Sequence, residues 1–168
     1  MGSNLRKVYL VLAFLLVLEV RPAFSQNLAG RTVRVIDGDT IVILTDSHEQ
    51  IRVRLYGVDA PEKKQAFGSV SKQALSDLVF GKVVRVEVDP KQHDKYGRTI
   101  GRVYEHYTDV NLAMVKMGVA WAYTKVKCPS EFIVAQDEAR ILKKGLWKDE
   151  SPTPPWDWRK EKHSNPEN

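Results

Sequence analysis

The sequence predicts a single α+β domain, in which a small antiparallel barrel or strongly curled sheet of about five strands carries about three helices on one side. Two observations lead there. Apolar residues alternate with period two in several short runs and recur at helical spacing in others, in the order strands, helix, strands, helices. The length of 168 residues suits one ordinary core with flanking pieces and makes two independent domains a poor fit.

Residues 1–25 read as a signal peptide. Arg6 and Lys7 precede an apolar run from Val8 to Leu18, and Ala23-Phe24-Ser25 supplies small residues, Ala23 and Ser25, at the spacing a signal peptidase reads, with the cut near Ser25–Gln26. A membrane anchor is the alternative, but a spanning helix needs about 20 apolar residues, and Glu19 and Arg21 break this run. The chain is therefore expected to be exported, secreted or periplasmic, with no stable membrane span after cleavage.

The domain itself is expected over residues 26–148. Val33 and Val35, then Ile41 and Ile43, then Ile51, Val53 and Leu55 alternate with polar neighbours, as half-buried strands do. Asp37-Gly38-Asp39 and the stretch from Thr45 to Gln50 separate them, so a three-stranded meander is the economical topology. Val70, Ala74, Leu75, Leu78 and Val79 then fall at helical spacing, and Gly81 supplies a stop. Strands from Val83 to Val88 and from Thr99 to Tyr104 follow, divided by a polar loop from Asp89 to Arg98.

Asp109 is placed to cap a short helix through Met117 that ends at Gly118. Ser130 is placed to cap a longer one bearing Phe132, Ile133, Ala135, Ala139 and Leu142, up to Gly145. Residues 149–168 hold Pro152, Pro154, Pro155 and Pro166 among charges, and read as an extended or disordered tail. Trp147 is expected to pack on the domain, with Trp156 and Trp158 in the tail.

The formal net charge is +5, and the tail from Asp149 onward holds five acids against three bases, so the basic excess lies in the expected domain. That suits a polyanionic partner but by itself barely separates nucleic acid from a solvated surface. Cys128 is the only cysteine; no internal disulfide can form, and it reads as a structural thiol. His48, His93, His106 and His163 show no paired ligand spacing and read as exposed loop residues.

Three polar clusters interrupt otherwise regular strands: Asp37-Gly38-Asp39-Thr40, Arg54 with Asp59-Ala60-Pro61-Glu62, and Asp94-Lys95-Tyr96-Gly97-Arg98. Each alone is an ordinary turn or loop. Together they supply carboxylates that can hold a hard divalent cation through oxygen and two arginines able to grip phosphate two-pronged. Those are the parts that phosphodiester hydrolysis needs.

At these residues the sequence resembles the staphylococcal nuclease family, also called thermonucleases or micrococcal nucleases. The resemblance rests on Val35-Ile36-Asp37-Gly38-Asp39-Thr40, on the run from Arg54 to Glu62, and on Asp94-Lys95-Tyr96-Gly97-Arg98, in the family's order, and covers about residues 30–148. It implies an OB-fold, the five-stranded antiparallel Greek-key barrel with a nucleic-acid-binding face. It also implies a calcium-dependent endonuclease, a monomer acting on DNA and RNA with single strands preferred and 3′-phosphates left behind.

Carried over position by position, the resemblance makes Arg54 and Arg98 the grip on the scissile phosphate and Glu62 the carboxylate that activates water. Asp39 and Asp59 become the calcium carboxylates and Ala60 a backbone-carbonyl ligand; the best-known member has threonine there, and alanine keeps the carbonyl. Asp37 is implied in support of the metal ligands, and Thr40 through a bound water. Lys95, Tyr96 and Tyr123 are the expected substrate contacts, with packing at the core edge the alternative for Tyr123. The alternative function is a non-catalytic OB-fold module that binds nucleic acid; carboxylates beside a phosphate would repel it without a metal, which favours the enzyme.

Overall fold

The structure, a computed structural model, describes residues 27–164, with the side chains of Pro90, Gln92 and His163 left aside; the expected signal peptide lies outside the described residues. In chain order the elements are β1 (Asn27–Asp37), β2 (Thr40–Leu44), β3 (Gln50–Leu55), β4 (Val58–Asp59), α1 (Gly68–Val79), β5 (Val83–His93), β6 (Thr99–Glu105), β7 (Thr108–Asp109), α2 (Val110–Lys116), β8 (Trp121–Ala122), α3 (Ser130–Ile141), a 3-10 turn (Gly145–Lys148) and α4 (Pro155–Ser164).

The long β1 pairs antiparallel with β5 through its first half and with β2 through its second, so one strand serves both sides of the sheet. β2 pairs with β3, and β5 with β6, also antiparallel. The ring closes where Val53, Arg54 and Leu55 of β3 run parallel to Thr99, Ile100 and Gly101 of β6. Strand directions can alternate around a closed ring only if the number of strands is even. Closing β1, β2, β3, β5 and β6 therefore forces one parallel seam, and the expected all-antiparallel barrel is corrected at that seam alone. The α+β barrel of OB type is present, with four α-helices among the described residues rather than about three.

Period-two alternation places Val35, Ile41, Ile43, Val53, Leu55, Val84, Val86 and Val103 inside the barrel, where α1, α2 and α3 cover them with Leu75, Val79, Met114 and Phe132. Fully burying a side chain of this kind contributes about 1.5–3 kcal/mol each. Asp109 caps α2 as expected, its Oδ1 accepting from the Leu112 N–H at 3.0 Å, while its Oδ2 accepts from Arg102. Among the described residues no helix is long and apolar enough to cross a membrane.

Three expectations change. β5 continues to His93, because irregular pairing with β6 carries the ladder past Val88, and the polar loop shrinks to a turn at residues 94–98. In α3, Pro129 holds the N-cap position and Ser130 makes no side-chain cap; Phe132, Ala135, Gln136 and Ala139 form the buried stripe, which leaves Ile133 and Leu142 exposed. The third concerns the tail, expected to be extended or disordered: residues 155–164 form α4. Pro155 starts that helix at a position where its fixed φ and missing N–H carry no penalty. Trp156 packs edge-on to Trp121 at 5.6 Å and lies 5.7 Å from the Tyr123 ring, while Trp121 meets Trp147 at 4.4 Å. Gln65 Nε2 also donates to the Thr153 carbonyl at 2.7 Å. The buried aromatic area offsets the ordering entropy that the proline- and charge-rich composition alone could not.

Trp156→Ala is expected to lower unfolding free energy by about 1–3 kcal/mol, less than for a fully buried tryptophan because the ring is only half-buried. The urea midpoint measures it. An unchanged midpoint returns the tail to the disordered state first expected of it.

Candidate active site

The three polar clusters meet at one end of the barrel. Asp37-Gly38-Asp39 forms the turn between β1 and β2, and Arg54 stands in β3 directly opposite Thr40 of β2. The parallel seam sets Ile100 beside Arg54, which brings the turn from Asp94 to Arg98 to the same end. Two glycines let the backbone close up around them. A Cβ at Gly38 would sit 1.9 Å from Ser71 Oγ and 2.7 Å from Ala60 Cβ, and one at Gly68 would sit 2.0 Å from the Glu62 carbonyl oxygen. The start of α1 and the Asp59–Glu62 loop are thereby pressed against the β1–β2 turn.

Arg54 is the centre of the cluster. Its Nη1 meets Asp39 Oδ2 at 2.5 Å and its Nη2 meets Asp59 Oδ1 at 2.8 Å, with the Asp59 side chain 1% exposed. Asp39 Oδ2 also accepts from the Ala60 N–H at 2.8 Å, and Asp39 Oδ1 accepts from the Thr40 hydroxyl at 2.9 Å. Arg98 Nη1 donates to that same hydroxyl at 3.3 Å, while its Nε and Nη2 clamp Asp94 at 2.7 Å. A continuous chain of polar contacts thus runs from Asp94 through Arg98, Thr40, Asp39 and Arg54 to Asp59.

Charge is crowded here. Burial pushes the Asp37 carboxyl up to about 7, and the negative charge of Asp39 adds to the effect. Burial raises Asp59 as well, against the opposing pull of Arg159 and Arg54. Burial works against the Arg54 charge, yet Asp39 and Asp59 outweigh it and hold the guanidinium above its ordinary value. At the rim, hydrogen bonds from Arg98 overcome burial and hold Asp94 below the usual carboxylate range.

Clustered, desolvated carboxylate oxygens are the donor chemistry of a hard divalent cation, so the residues present fit such an ion. Among the described residues no three acidic, histidine or cysteine side chains gather closely enough to form a metal shell on their own. Asp39 and Asp59, joined by their shared arginine, would supply two carboxylates, and the remaining ligands would be carbonyl or water oxygens.

Glu62 is half-buried beside Asp59, its backbone N–H donating to Gln65 Oε1 at 3.1 Å. Its carboxylate meets a residue missing from the expected site. Arg159 of α4 places Nη1 2.7 Å from Glu62 Oε1 and Nη2 2.7 Å from Asp59 Oδ2. The tail held a sign of order but not of this contact: Trp156 and Trp158 precede the position, and tryptophan is rare in segments that stay unfolded.

The structure therefore brings together Asp39, Arg54, Asp59, Ala60 and Glu62, and joins Arg98 to them through Thr40. Lys95 and Tyr96 are exposed on the rim turn, with Lys95 Nζ 5.0 Å and the Arg98 guanidinium 5.4 Å from the Tyr96 ring. Tyr123 follows β8, which pairs with the strand bearing Asp59; its N–H is bonded to the Gly57 carbonyl and its ring lies against Trp156. The Cys128 thiol donates to the Gly57 carbonyl at 3.5 Å and burial raises its pKa, which fits a structural thiol. His48 and His106 are exposed, and His93 is exposed at the end of β5 rather than in a loop.

Comparison with known proteins matches the family described as staphylococcal nuclease homologue over residues 52–149. That span holds Arg54, Asp59, Ala60, Glu62 and Arg98, begins after Asp39 and ends before α4. The chain is similar to an uncharacterized endonuclease of Escherichia coli, 45% identical over 142 residues that cover 84% of this chain and 91% of that one. It is 39% identical to a micrococcal nuclease of Shigella flexneri, over 95% of this chain and 96% of the relative. A staphylococcal-like nuclease of Arabidopsis thaliana is 37% identical over 68% of this chain and 35% of its own length.

Arg54→Met, studied with chelator present, is expected to cost about 3–5 kcal/mol of stability, since it strands buried carboxylates without their shared cation. Arg98→Met, whose partner is nearer solvent, is expected to cost about 1 kcal/mol or less. Denaturant titration of both variants checks the contrast, and equal losses contradict the central place given to Arg54.

Proposed function

The chain belongs to the staphylococcal nuclease family, and on that premise we propose that this nuclease is exported, requires calcium and cleaves DNA and RNA with a preference for single strands, leaving 3′-phosphates. The observation that carries the reading is the single polar network in which Arg54 holds Asp39 and Asp59 while Arg98 reaches the same Asp39 through Thr40. Two guanidiniums and the carboxylates that would hold a cation share one rim of an OB barrel. Export is supported by the basic, then apolar, then small-residue pattern of residues 1–25. The 3′-phosphate product is supported by the family resemblance.

Bound by Asp39, Asp59 and the Ala60 carbonyl, calcium would supply positive charge opposite the phosphate. Arg54 and Arg98 offer planar, two-pronged donors matched to phosphate oxygens. Their contacts strengthen as negative charge builds on the phosphorus centre, so their effect falls on turnover more than on affinity. Glu62 accepts a proton from the attacking water or orients it. The exposed Lys95 and Tyr96 beside Arg98 add charge and an aromatic face for the strand.

Incubating the purified protein with denatured DNA in calcium, in magnesium alone, and in chelator tests the calcium claim. Turnover is expected in calcium only, because a flexible oxygen site on loops suits the larger ion whereas magnesium demands tight octahedral geometry. Equal turnover in magnesium sinks the claim. At saturating substrate, Arg54→Lys and Arg98→Lys are expected to lose about 100- to 1,000-fold in kcat. The exposed Lys72→Ala should stay within about threefold of the parent, its role being long-range attraction. If the arginine variants also stay that close, neither arginine acts in the transition state.

A further inference from the structure

The C-terminal helix delivers a third arginine to the carboxylates, and its contacts are those a cation would contest. Each oxygen of the Asp39–Asp59 pair already has a donor. Asp39 Oδ1 accepts from Thr40, and Asp39 Oδ2 accepts from the Ala60 N–H and is ion-paired with Arg54 Nη1. Asp59 Oδ1 is held by Arg54 Nη2 at 2.8 Å, with Arg159 Nη1 at 3.3 Å, and Asp59 Oδ2 by Arg159 Nη2 at 2.7 Å. A divalent ion drawn to Asp59 meets guanidinium charge on both of its oxygens, and binding there competes with those contacts.

The two candidates are not equally easy to move. Arg54 springs from β3 in the barrel wall, and its side chain is 14% exposed. Arg159 springs from α4 on the outside of the barrel, and its side chain is 38% exposed. No strand pairing holds α4; it is seated through Trp156 and through the Gln65 bond to Thr153. The prongs of Arg159 divide unequally between two carboxylates. Nη2 holds Asp59 Oδ2 at 2.7 Å, while Nη1 holds Glu62 at 2.7 Å and reaches Asp59 Oδ1 only at 3.3 Å, so the grip on Asp59 can open while that on Glu62 persists.

We propose that Arg159 is a positioning residue of this active site: it stands on Asp59 in the place of the divalent cation, yields Asp59 when the cation arrives, and keeps Glu62 oriented afterwards. The proposal rests on the calcium-nuclease reading above. A guanidinium in the resting site neutralises carboxylates that would otherwise repel one another, and its displacement couples cation binding to a helix outside the residues matched by the family. Glu62 lies on a loop, and a tether that fixes its carboxylate to α4 supplies the positioning that a water-activating group needs.

The test measures calcium affinity by calorimetry without nucleic acid, and kcat and KM at saturating calcium, for the parent, Arg159→Ala, Arg159→Lys and the surface control Lys160→Ala. Circular dichroism of each variant checks folding, and Arg159→Gln replaces any that fails it. Removing a competing unit charge from a partly exposed site is expected to tighten calcium binding about three- to tenfold in Arg159→Ala, with Arg159→Lys between that variant and the parent. Loss of the Glu62 tether is expected to lower kcat about tenfold while KM stays within about twofold. Lys160→Ala should match the parent in both. Calcium affinity in Arg159→Ala that is unchanged or weaker overturns the stand-in role, and parent-level kcat overturns the hold on Glu62. A parent that neither binds calcium nor cuts overturns the proposed function itself.

Discussion

The parallel seam between β3 and β6 is the constraint on which the site depends. Arg54 faces Thr40 across one ladder and Ile100 across the other, so closing the ring gathers segments that are remote in sequence. Arg98 and Thr40 are 58 positions apart, yet they share a hydrogen bond once β6 is registered on β3. An open meander of β1, β2 and β3 would hold Asp39 and Arg54 together and leave Arg98 unattached. The seam is rigid because buried valines and isoleucines on the inner face admit one register only; a slip by one residue would turn Val53 and Leu55 outward.

On that scaffold the cluster is electrostatically unfavourable for the folded chain by itself. Asp37 and Asp59 are each drawn into low dielectric with Asp39 nearby, and burial together with that charge pushes both carboxyls up. Arg54 offsets part of it from within the wall and Arg159 offsets more from outside. A site tuned for resting stability would have fewer carboxylates. Keeping them fits a place where positive charge arrives with a ligand.

A second, smaller core explains how the outside helix comes to share in this chemistry. Trp121, Ala139, Leu146 and Trp147 form a buried cluster, with Phe67 and Trp156 packed against it. Arg140 adds its guanidinium 4.3 Å over the Trp147 ring. The cluster joins the start of α1, the end of α3, the 3-10 turn and α4. Because Phe67 immediately precedes α1 and Trp156 opens α4, the packing that seats α4 also sets the loop carrying Glu62. Stability of this aromatic layer and geometry of the carboxylates are linked through it.

The sequence by itself determined the elements whose causes are local. Period-two runs marked the barrel strands, Asp109 marked its helix through a cap three residues away, and the interruption of strands by Asp37-Gly38-Asp39, Asp59-Ala60-Pro61-Glu62 and Asp94 to Arg98 marked the residues that the fold brings together. The tertiary structure alone decided the parallel seam, which follows from the count of strands in a closed ring and from no residue in particular. It decided which stripe of α3 is buried, since the partner surface lies on α2, β8 and the 3-10 turn. It also decided the fate of the tail. Prolines and charges around Trp156 describe a segment unable to form a core by its own means, whereas its order comes from Trp121, Tyr123 and Gln65, far upstream. Arg159 reached Asp59 and Glu62 by that route, and a contact across 100 positions has no signature in local composition.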